Sequence, residues 1–509
     1  MRIPILVLSL CFISSSFSLA QSGYYEDAFR FSQVKPAGSA RIMGVGGTQW
    51  SLGGDVSNIA GNPAGLGFFR SSEASATLGY TDWGVETNYL GQIDSYNTTN
   101  FSLPNLGFVM ANPKGEFDRG TFKGGSFGIS IQRIANFNTE YGNTSDQPGS
   151  TSIIDFYLQS ANEANNGSGI PESQIESYGL TGLAYLTYQI NPISFDENGA
   201  PISDPRYYDS FVLGNPAQRE NITQEGSSSQ ITFAYGANFN HKLFVGGSVG
   251  IRTLNFTSRK ILIEEFLEGP LIDSNLQENL FINGGGVNLN LGLIYKPVDY
   301  LNLGFTLQTP TWYALNDEYT ASMIANYDKY DYEPEGIILG QVEDLTDIII
   351  SSYNLNTPFK IGGGATVFLG KNGFISADVD WVDYSAARIN SRDFDEGPDN
   401  LEIQNLYTST INFRFGAEYK LSNFRIRGGY GYYGDPIADS DFDRSTQQIS
   451  GGLGMKINKF SVDFALVNQK FNTLYSSYQV LDNQGRNIGP VTEIKNNQIN
   501  GVLTLGLSF

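Results

Sequence analysis

The stretch Gln230–Asn240 (QITFAYGANFN) sets Ile231, Phe233, Tyr235, Ala237 and Phe239 on one side of an extended chain. Gln230, Thr232, Ala234, Gly236, Asn238 and Asn240 fall on the other, because successive side chains of a strand point to opposite faces. The same period of two recurs in Val287, Leu289, Leu291, Leu293 and Tyr295 and, after the short connection Lys296-Pro297-Val298-Asp299, in Leu301, Leu303, Phe305 and Leu307. It returns through Ile375–Trp381, Ile411–Tyr419 and Phe424–Tyr430. A soluble sandwich also alternates, but its polar face meets water and is rich in Lys, Glu and Thr. Here that face is Gly, Asn and Ser with a few opposite charges. An apolar outer face and a small, polar inner face are what a barrel in lipid requires, since only closure satisfies every backbone N–H and C=O there.

Composition agrees. Charged residues make up 16 % of the 509 residues, below the roughly 25 % of an average soluble protein, whereas 34 Phe and 29 Tyr are present. The formal charge of −21 argues against nucleic acid as a partner, because that affinity is largely electrostatic. One cysteine, Cys11, and one histidine, His241, exclude a disulfide framework and a Cys/His metal site. No cofactor and no metal site is expected. The acid-rich runs Asp393–Glu396 and Asp439–Asp443 read as solvated loops rather than Ca²⁺ sites.

Residues 1–20 read as a signal peptide: Arg2, an apolar stretch from Ile3 to Phe17, then Ser18-Leu19-Ala20 as a cleavage site. No later apolar run reaches the 18 residues of a spanning helix. The expected fold is therefore all-β, a transmembrane antiparallel barrel of about fourteen strands over residues 74–509, with residues 21–73 as an N-terminal plug, or hatch. Short turns at Asn112–Phe122, Asn240–Lys242, Lys296–Asp299, Lys371-Asn372, Ser422-Asn423 and Asn458-Lys459 are assigned to the periplasmic side. Gly142–Ser177, Asn191–Ser229, Glu268–Asn283, Ser322–Asn356 and Arg388–Tyr407 read as external loops. The apolar islands Tyr178–Ile190 and Glu335–Ser352 have near-helical spacing, so at least one of these loops is expected to carry a helix over the mouth. The aromatic C-terminus, Gly501–Phe509, resembles the signal read by the outer-membrane insertion machinery.

Several motifs carry no chemistry. Gly124–Gly128 and Gly246–Gly250 both match G-x-S-x-G, yet both continue as strands, where a nucleophile elbow needs a strand-to-helix turn. His241 lies in a tight turn beside Asn240 and Lys242, so an enzyme is not expected. Asp378, Asp380, Arg414, Glu418, Arg425 and Arg427 share the inward face of neighbouring strands and are read as a lumenal charge ladder that anchors plug to wall, with a polar step in a transport path as the alternative. Gly124, Gly125 and Gly128 are candidates for a kinked strand, although plug packing accounts for lumenal glycines equally well.

The run Ser39-Ala40-Arg41 to Gly47, then Gly53-Gly54-Asp55, then Asn62-Pro63-Ala64-Gly65-Leu66 resembles the hatch of the FadL/TodX family of outer-membrane transporters for long-chain fatty acids and other hydrophobic compounds. Leu355–Gly364 leading into Ala377–Trp381, Arg427–Tyr432 with Asp435-Pro436, and Thr504–Phe509 add to the likeness; Gly142–Ser229 shows none. The resemblance implies a fourteen-stranded barrel in the outer membrane. A hydrophobic ligand, a fatty acid or an aromatic hydrocarbon, would be captured outside and passed inward as a hatch gated around Asn62, Pro63 and Ala64 shifts. It would leave sideways into membrane lipid through a gap at a kinked strand. The same fold can also resemble a secretion-system component that docks or shuttles exported cargo.

Overall fold

Alternating stretches become a wall because each strand finds a hydrogen-bonded neighbour on both edges. The computed structural model describes residues 23–509 except 34, 116, 197–198, 333–335 and 439–440. The expected signal peptide and Cys11 lie outside the described residues. Among those described, fourteen antiparallel strands close on themselves. They are β1 (Glu73–Tyr89), β2 (Gln92–Pro113), β3 (Phe122–Asn136), β4 (Ala217–Phe239), β5 (Leu243–Glu265), β6 (Leu271–Val298) and β7 (Leu301–Gln308). The second half comprises β8 (Lys360–Phe368), β9 (Gly373–Asp383), β10 (Ser409–Leu421), β11 (Phe424–Tyr433), β12 (Thr446–Ile457), β13 (Phe460–Ser476) and β14 (Val491–Ser508). Neighbours in sequence are neighbours in space, and β14 returns to β1 from Glu73↔Ser508 to Asn88↔Glu493.

The faces are those of a protein dissolved in lipid. On β6, Val287, Leu289, Leu291, Leu293 and Tyr295 point out and are exposed, while Asn288 and Asn290 between them are buried in the lumen. On β4, Ile231, Phe233 and Tyr235 are exposed and Gln230 and Thr232 are buried. Apolar residues outside and amides inside invert the usual arrangement, which is stable only where the outer solvent is hydrocarbon.

A strand of about ten residues crosses a bilayer, so the 23 residues of β4 and of β5, paired from Ala217↔Glu265 to Phe239↔Leu243, continue far beyond it. Further segments extend the wall at the same end. Thr139–Pro148 runs beside β4, Trp312–Tyr332 beside β6, and Ile337–Leu345 and Ile349–Asn356 beside Trp312–Tyr332. Two of these continue β7 and β8 across the interruptions 309–311 and 357–359, which hold Pro310 and Pro358. Proline removes a ladder donor, and threonine hydroxyls patch the gaps: Leu289 N–H donates to Thr309 Oγ1 and Thr311 N–H to Thr357 Oγ1, both at 2.9 Å.

The expected loops are corrected here. Asn191–Ser229, Glu268–Asn283 and Ser322–Asn356 were read as loops, and all three contain long strand segments. Beyond the lipid both faces of a strand can be polar, so the period of two disappears from the sequence while the ladder persists. Of the two apolar islands, Tyr178–Ile190 forms a helix at Gly179–Leu186. Within Glu335–Ser352, whose first residue lies outside the described ones, the chain is extended at Ile337–Leu345 and again from Ile349. Its isoleucine-rich ends favour strands.

The long-loop end is roofed by α3 (Ile153–Gly167), α4 (Glu172–Ile175) and α5 (Gly179–Leu186). Tyr157, Ile170, Leu183 and Ile190 pack there against Leu262, Leu276, Tyr319 and Met323 of the extended wall. His241 occupies a left-handed turn position at the opposite end, where its N–H donates to Asn238 Oδ1 at 3.0 Å.

A lipid-facing charge separates this wall from a soluble one. Leu291→Arg is expected to destabilise the folded barrel by about 2–4 kcal/mol, and Asn255→Arg, exposed beyond the apolar band, by about 0–1 kcal/mol. Reversible urea unfolding in lipid vesicles measures both.

Candidate functional site: the hatch, the lumen and the open seam

The Gly-rich segment before β1 folds as short helical turns, each started by a polar cap. Ser39 accepts from Ile42 N–H to open α2 (Ala40–Gly44), Asp55 accepts from Ser57 N–H ahead of Val56–Ile59, and Asn62 accepts from Ala64 N–H ahead of Pro63–Phe68. Each of the three motif stretches singled out in the sequence thus contains an N-cap. Ser39 Oγ also donates to Asp55 at 3.0 Å, tying the first turn to the second.

Asn62 is wholly buried, and its amide donates to the carbonyls of Trp50, Leu293 (3.4 Å) and Phe305 (3.3 Å). One side chain therefore caps a hatch turn and fastens it to β6 and β7. The wall admits this backbone only because it is glycine there: a Cβ on Gly304 would strike the Trp50 carbonyl, and one on Gly246 the backbone of Pro63-Ala64.

The inward charges form two clamps on the hatch. In the first, Asp378 accepts from the backbone N–H groups of Gln49 (2.7 Å) and Trp50 (3.1 Å), and Asp380 accepts from the Trp50 indole. Arg414, fully buried, reaches Asp380 and, at 3.6 Å, Asp378, while Lys360 lies 3.3 Å from Asp380. Both cations also stand over the Trp50 ring, Arg414 at 5.1 Å and Lys360 at 5.6 Å. In the second clamp Glu418 receives Arg427 at 2.7 Å and lies 3.8 Å from Arg425 and from the hatch residue Arg41. Arg427 also reaches Asp463 at 2.7 Å. Buried arginine cannot shed its proton, so each needs its carboxylate.

Above the hatch lies a small, partly open cavity of about 50 Å³. Gln49, Gln132, Gln230 and Gln308 line it with the cations Lys35, Arg252 and Lys360 and the apolar Pro36, Trp50 and Ile134. The mouth beyond is filled by α1 (Tyr24–Arg30). Tyr24 stacks on Phe394 at 4.0 Å, Phe29 on Tyr407 at 5.0 Å, and Phe31 meets Phe137 and Phe256 edge-on. Inside this apolar packing Asp27 accepts from Arg30 and from Tyr353 Oη at 3.1 Å, and burial pushes its carboxyl up to about 6.

The hydrogen-bonded ladder of the wall is interrupted along one seam. β2 pairs with β3 from Pro113↔Gly124 only as far as Asn105↔Gln132. Beyond that point β2 bonds to β1 alone, with Pro104 at the turning point. The neighbouring chain, interrupted at Phe137-Asn138, continues as Thr139–Pro148 along β4. It leans inward: Thr87 Oγ1 donates to the Gly142 carbonyl at 2.7 Å and Asn143 to Thr492 Oγ1 at 3.1 Å. Among the described residues no ladder joins 92–104 to 133–148. Gln132 and Ile134 sit at the seam and line the cavity.

The glycines considered for a kink lie lower. Gly124 has φ +114° and accompanies a register shift between Phe122 and Gly125, yet the ladder to β2 continues past it. Gly128 faces the hatch, where a Cβ would meet Ile59. Sequence reading passed over Lys35, Arg252 and α1. The inward placement of Arg252 was legible from the outward Val249 and Ile251; its surroundings were not.

No family model and no curated protein matches the chain. Solved structures do. A FadL homologue of Pseudomonas aeruginosa superposes with TM-score 0.54 at 13 % identity, covering 94 % of this chain and 99 % of the other. The toluene transporters TodX of Pseudomonas putida (TM-score 0.51, 14 % identity) and TbuX of Ralstonia pickettii (0.51, 15 %) each cover 94 % of this chain and 100 % of their own. The chain thus has the FadL/TodX fold, and these structural neighbours are transport proteins rather than enzymes.

Two outcomes follow from the clamps and from α1. Asp380→Ala leaves Arg414 and Lys360 without their closest carboxylate and is expected to cost about 3–5 kcal/mol. The hatch should become protease-sensitive while the barrel still migrates as the folded form on an unheated gel. Because the folded carboxyl of Asp27 is raised from 3.8 to about 6, docking of α1 is strongest below pH ~4 and weakens by up to roughly 3 kcal/mol as pH rises through 6. Hydrogen exchange of residues 24–30 between pH 4 and 8 should show it, and Asp27→Asn should flatten the dependence.

Proposed function

We propose that this protein is an outer-membrane channel for passive movement of hydrophobic small molecules, fatty acids or aromatic hydrocarbons, exported by its signal peptide and placed by the barrel-insertion machinery. The observation that carries the reading is the contact between the lumenal cavity and the open β2/β3 seam. The hatch floors the lumen and α1 fills its mouth, so an open aqueous pore does not suit this interior. A ladder left open beside exposed Leu78, Phe101 and Leu103 offers an apolar molecule a way between lumen and lipid without crossing water. The neighbours named for toluene agree with an apolar cargo.

In this reading the hatch stays clamped at Trp50 and Arg41, and ligand passes over it toward the seam. The turn Asn62-Pro63-Ala64 acts as a latch: its release would lower the floor and widen the cavity. No covalent step is required of any residue.

Mass spectrometry of small molecules released from the detergent-purified protein tests the proposal directly. Stoichiometric fatty acid or hydrocarbon is expected; an empty barrel that brings down protein partners would replace this reading with a role in secretion. The route is tested with Ser102→Cys and Ile134→Cys, usable because the only native cysteine lies in the signal peptide. Bridging the pair with a cleavable thiol cross-linker should abolish uptake into vesicles, and cleavage should restore it.

A further inference from the structure

Acidic residues outnumber basic ones by 52 to 31 in the chain, yet one arc of the short-turn rim reverses the balance. The connections from β8 to β9, β10 to β11 and β12 to β13 run through 369–372, 419–425 and 456–460. They carry Lys371, Lys420, Arg425, Lys456 and Lys459 with no Asp or Glu among them. At the other ends of the same strands the connections are acid-rich, with Asp393, Asp395, Asp399 and Glu402 in 384–408 and Asp441 and Asp443 in 434–445. Charge is thus polarised along the barrel axis on this side of the wall.

Register gathers these cations at a cost. Lys420 and Arg425 stand directly opposite each other in the β10–β11 hairpin, and like charges so placed repel. Backbone bonds set the turns side by side: Lys420 N–H donates to the Asn372 carbonyl at 2.6 Å and Lys456 N–H to that of Asn423 at 3.1 Å. Lys371, Lys420, Lys456 and Lys459 are exposed, and among the described residues none of the four is paired with a carboxylate. The nearby carboxylate on the inner side, Glu418, is already held by Arg427 at 2.7 Å, with Arg425 and Arg41 at 3.8 Å. Repulsion from those guanidiniums favours lysine heads carried outward over the rim, and a four-carbon stem has the reach for it.

Beside the cations runs an apolar girdle, in which Leu369, Tyr419, Leu421, Phe424, Ile457 and Phe460 are all exposed. Aromatic side chains at the edge of a barrel mark the boundary between hydrocarbon and headgroups, so the adjoining cations stand at headgroup depth. Six adjacent strands spread them over an arc of at least ~24 Å. That is a thin line at one height, which a layer of headgroups can meet along its whole length. We propose that this arc binds the headgroups of anionic phospholipids, such as phosphatidylglycerol, in the leaflet on the short-turn side. The inference rests on the membrane placement proposed above, adds a lipid partner to it, and is independent of the cargo.

Lipid retention by the immobilised full-length mature protein tests this. The protein is equilibrated with non-ionic detergent micelles holding equal amounts of phosphatidylglycerol and phosphatidylcholine with the same acyl chains, washed, and its retained lipid measured by mass spectrometry. A basic residue near an anionic surface is worth roughly a fivefold factor in affinity. Retained lipid is therefore expected to be enriched about fivefold or more in phosphatidylglycerol, and the enrichment should shrink at high salt. Lys371→Gln, Lys420→Gln, Lys456→Gln and Lys459→Gln combined should bring the ratio close to one, and the four Lys→Arg changes should retain it. Arg486→Gln with Lys495→Gln, at the opposite end of the barrel, should leave the enrichment unchanged. Folding of every variant is checked by migration on an unheated gel. No enrichment in the wild type, or undiminished enrichment in the combined Gln variant, overturns the arc and leaves the channel, judged by its released cargo, standing. Retention of poly-glutamate in preference to phosphatidylglycerol would assign the arc to an acidic protein segment and overturns the lipid. Retention of neither phospholipid overturns the arc and the membrane placement together.

Discussion

The structure depends on the hydrogen-bonding demand of a peptide backbone in hydrocarbon. An N–H or C=O left without a partner there costs several kcal/mol, so a wall of strands must close and each strand must find two neighbours. Return of β14 to β1 meets that demand around the circumference. Where proline interrupts it, the Thr309 and Thr357 hydroxyls stand in as acceptors. Against this background the unmatched edge of β2 beyond Asn105 is informative. It leaves residues 92–104 bonded on one side only, and it lies where the lumenal cavity comes to the wall.

Filling the lumen raises a second constraint. A barrel interior lined with amides and charges can be occupied by a plug only if polar groups meet partners, and the hatch manages this largely with its own backbone. Its N–H groups reach Asp378, its carbonyls receive Asn62, Asn290 and Asn302, and its caps close its turns internally. Glycine on the facing strands brings wall and hatch within backbone contact, which is why lumenal glycine here reflects packing as well as irregular strand geometry. The result is a fixed floor, a small polar chamber above it, and an aromatic stopper in the mouth.

Much of this was legible beforehand. A period of two with Leu, Ile and Phe against Asn, Gly and Ser reports which face meets lipid, because side-chain direction alternates strictly along a strand. That rule placed Asp378, Asp380, Arg414, Glu418, Arg425 and Arg427 on one inward surface, where the structure has them. It failed outside the membrane, where β4, β6 and the extended segments within 322–356 keep their ladders but lose their apolar face and so resemble loops. It was also misled at Glu335–Ser352, where an apolar stretch of ambiguous spacing pairs with Trp312–Tyr332 as strand.

By itself, then, the sequence determined the barrel, its approximate strand number and its lipid-facing side, and pointed to a plug before β1, because the first three follow from local alternation and the last from the lack of it. Tertiary structure alone decided which inward charges meet, that two cations stand over Trp50, that α1 fills the mouth, and that β2 and β3 part above Gln132. Those facts depend on register around a closed sheet, where residues hundreds of positions apart are brought level, as Trp50 and Asp380 are. Lys35 and Arg252 belong to the same class. Each is an unremarkable basic residue in the chain, and only the closed wall brings them to one cavity.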